Sequence, residues 1–127
     1  MRIKLTSVTV DDQAKALAFY TEVLGFAKKR DDPAGEFRAI TLESRESPDG
    51  VELMLEPNAY PASKTFQEAL YRDGIPVAIF FVDDLDQEYA RLTALGVRFQ
   101  VEPMRSEWGY QAVLDDTCGN FIGLFEG

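Results

Sequence analysis

Two segments of this chain present the same order of residue types: Val10-Asp11-Asp12 leading to Leu24-Gly25-Phe26, and Val82-Asp83-Asp84 leading to Leu95-Gly96-Val97. Each reads as strand, short acidic turn, helix, Leu-Gly stop, strand. An internal repeat on this scale sets the architecture before any single residue does. In the first copy, residues 3–10 are β-branched and alternating, as in a strand. Asp11 or Asp12 then caps a helix whose Ala16, Leu17, Tyr20, Val23 and Leu24 share one face, and Gly25 ends it. In the second copy, residues 77–82 form the strand and Asp84 caps, with Gln87 at the capping-box position. Leu85, Tyr89, Leu92 and Leu95 make the apolar stripe, and Gly96 stops the helix.

Further strands are expected at about 37–42 and 51–56 in the first copy, joined through the polar stretch 43–50. In the second they fall at about 98–101, 110–114 and 121–125. The last hairpin turn is Asp115-Asp116-Thr117-Cys118-Gly119-Asn120, with Gly119 and Asn120 suited to positive φ. Between the copies, Pro61 starts a short connecting helix carrying Phe66, Leu70 and Tyr71. The organisation predicted is a single α+β domain of two βαβββ modules: module one at about 1–57, a connecting helix at about 58–74, and module two at about 75–127. Neither module alone buries the face of its sheet.

Composition narrows the function classes. The formal charge of −9 is opposed to nucleic-acid binding, which needs a basic stripe. No apolar run approaches the length of a membrane helix, so no membrane partner is expected. A single cysteine, Cys118, rules out an intrachain disulfide and, with no apolar leader behind Arg2 and Lys4, points to the cytoplasm. The chain has no histidine, which removes Ser–His–Asp and Cys–His catalysis outright. Cys118, in a hairpin turn with no base to activate it, reads as structural. Arg105 reads as a surface residue.

The stretches Val10-Asp11-Asp12 with Ala18-Phe19-Tyr20-Thr21-Glu22-Val23-Leu24-Gly25-Phe26, Gly50-Val51-Glu52-Leu53-Met54-Leu55-Glu56-Pro57, and Asp116-Thr117-Cys118-Gly119-Asn120-Phe121-Ile122 resemble the glyoxalase/bleomycin-resistance/extradiol-dioxygenase superfamily, the vicinal oxygen chelate fold. The resemblance runs over nearly the whole chain. It implies mixed sheets curled into a concave pocket with the helices outside, and often a divalent metal held by His and Glu. Carried over position by position, the metal ligands fall at Leu5, near Val77, at Gly123, and at Glu52 or Met54. One carboxylate cannot hold a catalytic divalent ion. No metal and no cofactor are expected, and the lyase or dioxygenase chemistry typical of the superfamily is not expected either.

Strand alternation sorts the faces. With Leu5 toward the pocket, Ile3, Ser7 and Thr9 join it, while Val8 and Val10 pack on the helix. Val77, Ile79 and Phe81 face inward. Val51, Leu53 and Leu55 form the helix-packed set of their strand, leaving Glu52, Met54 and Glu56 on the pocket side. Phe121, Gly123 and Phe125 look inward, and Gly123 leaves room. Phe37, Trp108 and Tyr110 add aromatic surface. The ligand-binding set is therefore Leu5, Phe37, Glu52, Met54, Val77, Phe81, Trp108, Tyr110 and Gly123, with Glu52 and Glu56 as candidate acid, base or cation anchor. The function this supports is metal-independent binding of an apolar or cationic small molecule, by a homodimer as the resemblance implies. The alternative is a lyase or isomerase using a pocket glutamate or an atypical metal site.

Overall fold

Asp12 and Asp84 lie in extended backbone, and each side chain accepts the amide of the residue three positions on, Lys15 and Gln87, at 3.0 Å. These caps satisfy amides that the first turn leaves unpaired, and they start the helices where the repeat places them. In the computed structural model, which describes Met1–Gly127, the elements run in this order: β1 Leu5–Val10, α1 Gln13–Ala18 continued by a π-helical turn Phe19–Val23, β2 Ala27–Ala34, β3 Phe37–Glu43, β4 Glu52–Pro57, α2 Pro61–Arg72, β5 Ala78–Val82, α3 Leu85–Ala94, β6 Phe99–Ser106, β7 Gly109–Asp115 and β8 Phe121–Glu126. They make two mixed four-stranded sheets, ordered β1-β4-β3-β2 and β5-β8-β7-β6. In each sheet the first strand pairs in parallel with the fourth, and the remaining pairs are antiparallel. The α+β reading and the two-copy organisation hold. The chain divides into two compact units, Met1–Lys64 and Thr65–Gly127.

In the first unit the core lies between α1 and one face of its sheet. Val8, Val10, Ile40, Leu42, Leu53 and Leu55 point from the strands toward Ala16, Phe19 and Tyr20. In the second, Leu85, Leu92 and Val97 meet Ala112, Leu114, Ile122 and Leu124. The sheets curl only weakly, so the opposite face of each is a shallow surface rather than a deep cup.

Four local expectations need correction. Strand β2 was not legible, because its sequence Ala-Lys-Lys-Arg-Asp-Asp-Pro-Ala carries no apolar alternation; it is an edge strand, where charge and proline guard against further pairing. Val51 precedes β4 and is exposed rather than packed on the helix. Leu95 caps α3 and is likewise exposed. In the last turn the residues at positive φ are Thr117 and Gly119, not Asn120. Asn120 is instead buried and donates its side-chain amide to Asp116 at 2.8 Å.

Candidate functional site

On the first sheet, register decides which side chains share the helix-free face. Leu5 lies opposite Glu52, and Ser7 opposite Met54, which in turn faces Thr41. Glu56 lies opposite Thr9 and is exposed. Phe37 has the parity of Thr41 but sits at the start of β3, opposite Ala34. A β-bulge between Lys28 and Arg30 inserts Lys29, whose ammonium lies 2.8 Å from Asp49, 3.2 Å from Glu43 and 4.0 Å from Glu52.

The Lys29 cluster is mutually stabilised. Hydrogen bonds to Asp49 and Glu43 raise the Lys29 pKa above the ordinary lysine value. Glu43 is held below its ordinary value by the Asp49 amide and then by Lys29, and Asp49 by Lys29. Glu52 is thus the half-buried margin of an ion network, not a carboxylate enclosed by apolar side chains. Opposite Met54, the Thr41 hydroxyl is a buried polar atom with no partner, in a residue only 2% exposed. Such an orphan oxygen is costly unless something bonds to it.

On the second sheet, Ile79 lies opposite Gly123 and Phe81 opposite Phe125. Ile79 is 53% exposed and Phe81 67%, and the Phe81 and Phe125 rings sit 5.9 Å apart. Ile79 Cγ1 and a Phe125 ring carbon lie 3.3 and 3.5 Å from where a side chain on Gly123 would begin. The space above Gly123 is therefore taken by its own neighbours. Val77 is half-buried just before β5 and donates to the Phe121 carbonyl.

Trp108 stands apart from this surface at the β6–β7 turn, 75% exposed. Tyr110 projects to the other side of the sheet. Its hydroxyl donates to Asp86 on α3, and the Arg105 guanidinium lies 4.6 Å over its ring. So the structure gathers Leu5, Glu52 and Met54 on one face, and Phe81 and Gly123 on the other. Thr41 and Lys29 were missed by the sequence reading. A threonine inside the run Ala39-Ile40-Thr41-Leu42 was a usable signal; nothing in the β2 sequence marked Lys29.

As a metal site the inherited positions do not fit. Leu5, Val77 and Gly123 offer no donor atom, Glu52 is engaged with Lys29, and no group of three or more His, Cys, Asp or Glu side chains is placed to hold an ion.

The repeat, the paired βαβββ sheets and these open faces define a class, and comparison with known proteins agrees. The chain belongs to the Glyoxalase/Bleomycin resistance protein/Dioxygenase superfamily, whose family model matches residues 2–124. It is 49% identical over 126 residues to the uncharacterized protein YurT of Bacillus subtilis (strain 168), covering 99% of each chain. Among solved structures it is similar to UcmS2, at 32% identity and a TM-score of 0.85, covering 100% of this chain and 98% of that one. It is also similar to TnmS3, an antibiotic binding protein from Streptomyces sp. CB03234, at 30% identity and a TM-score of 0.79, covering 99% and 95%.

Proposed function

We propose that this protein binds an apolar or cationic small molecule without a metal, and sequesters it rather than converting it. The observation that carries the reading is the pair Ile79 and Phe81, exposed beside Phe125 on the sheet face turned away from α3, where Tyr71 of α2 covers only the Phe121 end. Contiguous apolar surface of this kind marks a binding face. The net charge of −9 and the carboxylates around Lys29 favour a cationic group on the ligand. Likeness to an antibiotic binding protein supports the same class of ligand. The alternative of a glutamate-based lyase or isomerase has less to stand on, since Glu56 is exposed and Glu52 sits in an ion network. We further propose that the working form is a cytoplasmic homodimer, in which a second copy covers part of these faces and Cys118, which is buried, stays reduced.

Thermal unfolding against a panel of planar and cationic antibiotics tests the reading. A ligand at a hundred times its Kd adds about 2.7 kcal/mol, which raises Tm by several degrees. Phe81→Ser is expected to abolish that rise. A panel that leaves Tm unchanged throughout would sink the proposal, and a stoichiometric divalent metal in the purified protein would overturn its metal-independent part.

A further inference from the structure

On the other side of the first sheet, between α1 and the outer strands, lies an open cleft of about 410 Å³. Its walls are Ala14, Leu17, Ala18 and Thr21 on the helix and Phe26 beyond it, with Lys28, Arg38, Arg45 and Glu22 as its charged groups. The volume suits a small molecule rather than a peptide. The Thr21 hydroxyl is spent on the Leu17 carbonyl, at 2.7 Å, so the helix wall offers mostly apolar surface.

The second unit shows what this place looks like when closed. Strand register makes Lys28, opposite Leu42, the counterpart of Phe99, opposite Leu114. Counting from the capping aspartates makes Leu17 the counterpart of Tyr89 and Ala14 that of Asp86. Arg38, two residues before Ile40 on β3, likewise matches Tyr110, two before Ala112 on β7. There, Tyr89 packs edge-on against Phe99 at 4.7 Å, and Tyr110 bonds Asp86. In the first unit the same positions hold smaller or cationic side chains, and a cleft stands open.

We infer that this cleft is a second ligand site, one that takes a small amphipathic monoanion: an apolar body ending in a carboxylate. Lys28, Arg38 and Arg45 against Glu22 and Asp31 leave a single net positive charge at the site, in a chain that is otherwise strongly acidic. Arg38 is already paired through two nitrogens with Asp31. Arg45 donates its Nε to the Gly25 carbonyl at 3.0 Å and has no carboxylate partner. That bond orients the guanidinium and leaves its two terminal nitrogens for a carboxylate, the geometry in which arginine binds best. One surplus charge matches a monoanion, and Ala14, Leu17, Ala18 and Phe26 match its apolar body.

The test uses octanoate below its micelle concentration, followed by amide shifts of the full chain in two-dimensional NMR. Octanoate is expected to shift the amides of residues 14–26 and of Arg45 in a saturable way, while octylamine does not. Arg45→Gln is expected to weaken binding at least tenfold and Arg45→Lys to restore part of it. Glu22→Gln, which removes a repelling charge, is expected to tighten binding severalfold. The double variant Leu17→Tyr, Lys28→Phe carries the second unit's filling; it is expected to stay folded and to lose the octanoate response. Octanoate shifts confined to the helix-free faces, equal binding of octanol, or unchanged affinity in Arg45→Gln would each overturn the site. Because the response is read at α1, its failure leaves the antibiotic panel above unaffected.

Discussion

The two units share a topology strand for strand, yet they close their sheets on the helix by different means. In the second, β7 and β8 pair continuously from Gln111–Phe125 to Asp115–Phe121, and the helix sets an aliphatic residue, Leu85, against them, fully buried. In the first, β3 and β4 pair only at Thr41–Met54 and Leu42–Leu53 and then part. The counterpart of Leu85 is Gln13, whose amide fills the gap. It donates to the Arg38 and Leu55 carbonyls at 2.6 and 2.9 Å and accepts from the Arg38 amide at 3.1 Å. A polar side chain thus satisfies backbone groups that the parted strands leave unpaired.

The helices differ to match. One residue more separates Asp12 from Gly25 than Asp84 from Gly96. The first helix absorbs it as a π turn, in which the Leu24 amide reaches back to Phe19 and that of Phe26 to Tyr20. The second closes more tightly, with Val97 bonded to Leu92. Both glycines keep positive φ, so the stop signal survives the insertion. Repeats of one plan can therefore diverge by one residue in a helix and one polar wedge. The divergence falls beside the open cleft.

The largest effect expected in breaking this comparison is at Asp116, fully buried in the β7–β8 turn, where it accepts from the Cys118 and Asn120 amides and the Asn120 side chain. Asp116→Ala is expected to cost about 3–5 kcal/mol in urea unfolding, because it strands three buried N–H groups at about 1–3 kcal/mol each. Asp49→Ala, in the exposed loop of the first unit, should leave the urea midpoint almost unchanged.

Exchanging the wedge comes next. Leu85→Gln buries an amide with no parted strands to bond, an expected loss of about 2–4 kcal/mol. Gln13→Leu strands the Arg38 and Leu55 groups, for about 1–3 kcal/mol. Equal tolerance of both swaps in chemical denaturation would show that the strand gap has no role. Deleting Glu22 should convert the π turn to regular α-helix and change stability by no more than about 1 kcal/mol. Hydrogen exchange at Leu24 and Phe26 reports whether the bonding pattern shifts.

The subtlest contrast is with pH. In the first unit, Arg38 beside Asp31 and Lys29 beside Asp49 hold those carboxyls below their ordinary values, as the Asp49 amide and Lys29 do Glu43. A carboxyl depressed in the folded state adds stability that is present above its unfolded pKa, 3.8 for Asp and 4.5 for Glu, and is lost as pH falls through the folded one. In the second unit, Tyr71 and Tyr110 are raised, by hydrogen bonds to Asp115 and Asp86. Their contribution is present below the unfolded value of 10.0 and lost as pH rises through the folded one. Residue-resolved NMR across pH should show acid loosening around β2 and β3, and alkaline loosening at Tyr71 and Tyr110. The opposite pattern would break the assignment.

Much of the fold was legible because its signals are local. Asp12, Asp84, Gly25 and Gly96 act within a turn of backbone, and the alternation in residues 5–10 and 121–126 sorts two faces without reference to any partner. Of the candidate site, Leu5, Glu52, Met54 and Phe81 lie on the sheet faces that parity alone assigned to them. Tyr110 was not, because its face depends on where β7 begins and on Asp86 in a helix distant in sequence. Helix α2 shows the same limit. Tyr71 stacks flat on Phe121 at 4.4 Å and bonds Asp115, and the side chain of Gln67, which is buried, donates to the Cys118 carbonyl and to Asn120. Phe66, expected on its apolar side, is exposed.

By itself, then, the sequence determined the repeat, the helix limits, the parity of most strands and the absence of histidine, all properties carried by residues near one another in the chain. Only the tertiary structure decided that Gln13 stands in a strand gap, that Lys29 gathers Glu43, Asp49 and Glu52, that the Thr41 hydroxyl is buried unpaired, and that one helix flank is open where its counterpart is filled. Each of those depends on strands far apart in sequence coming within bonding distance, and on how far they stay paired, which no local pattern encodes.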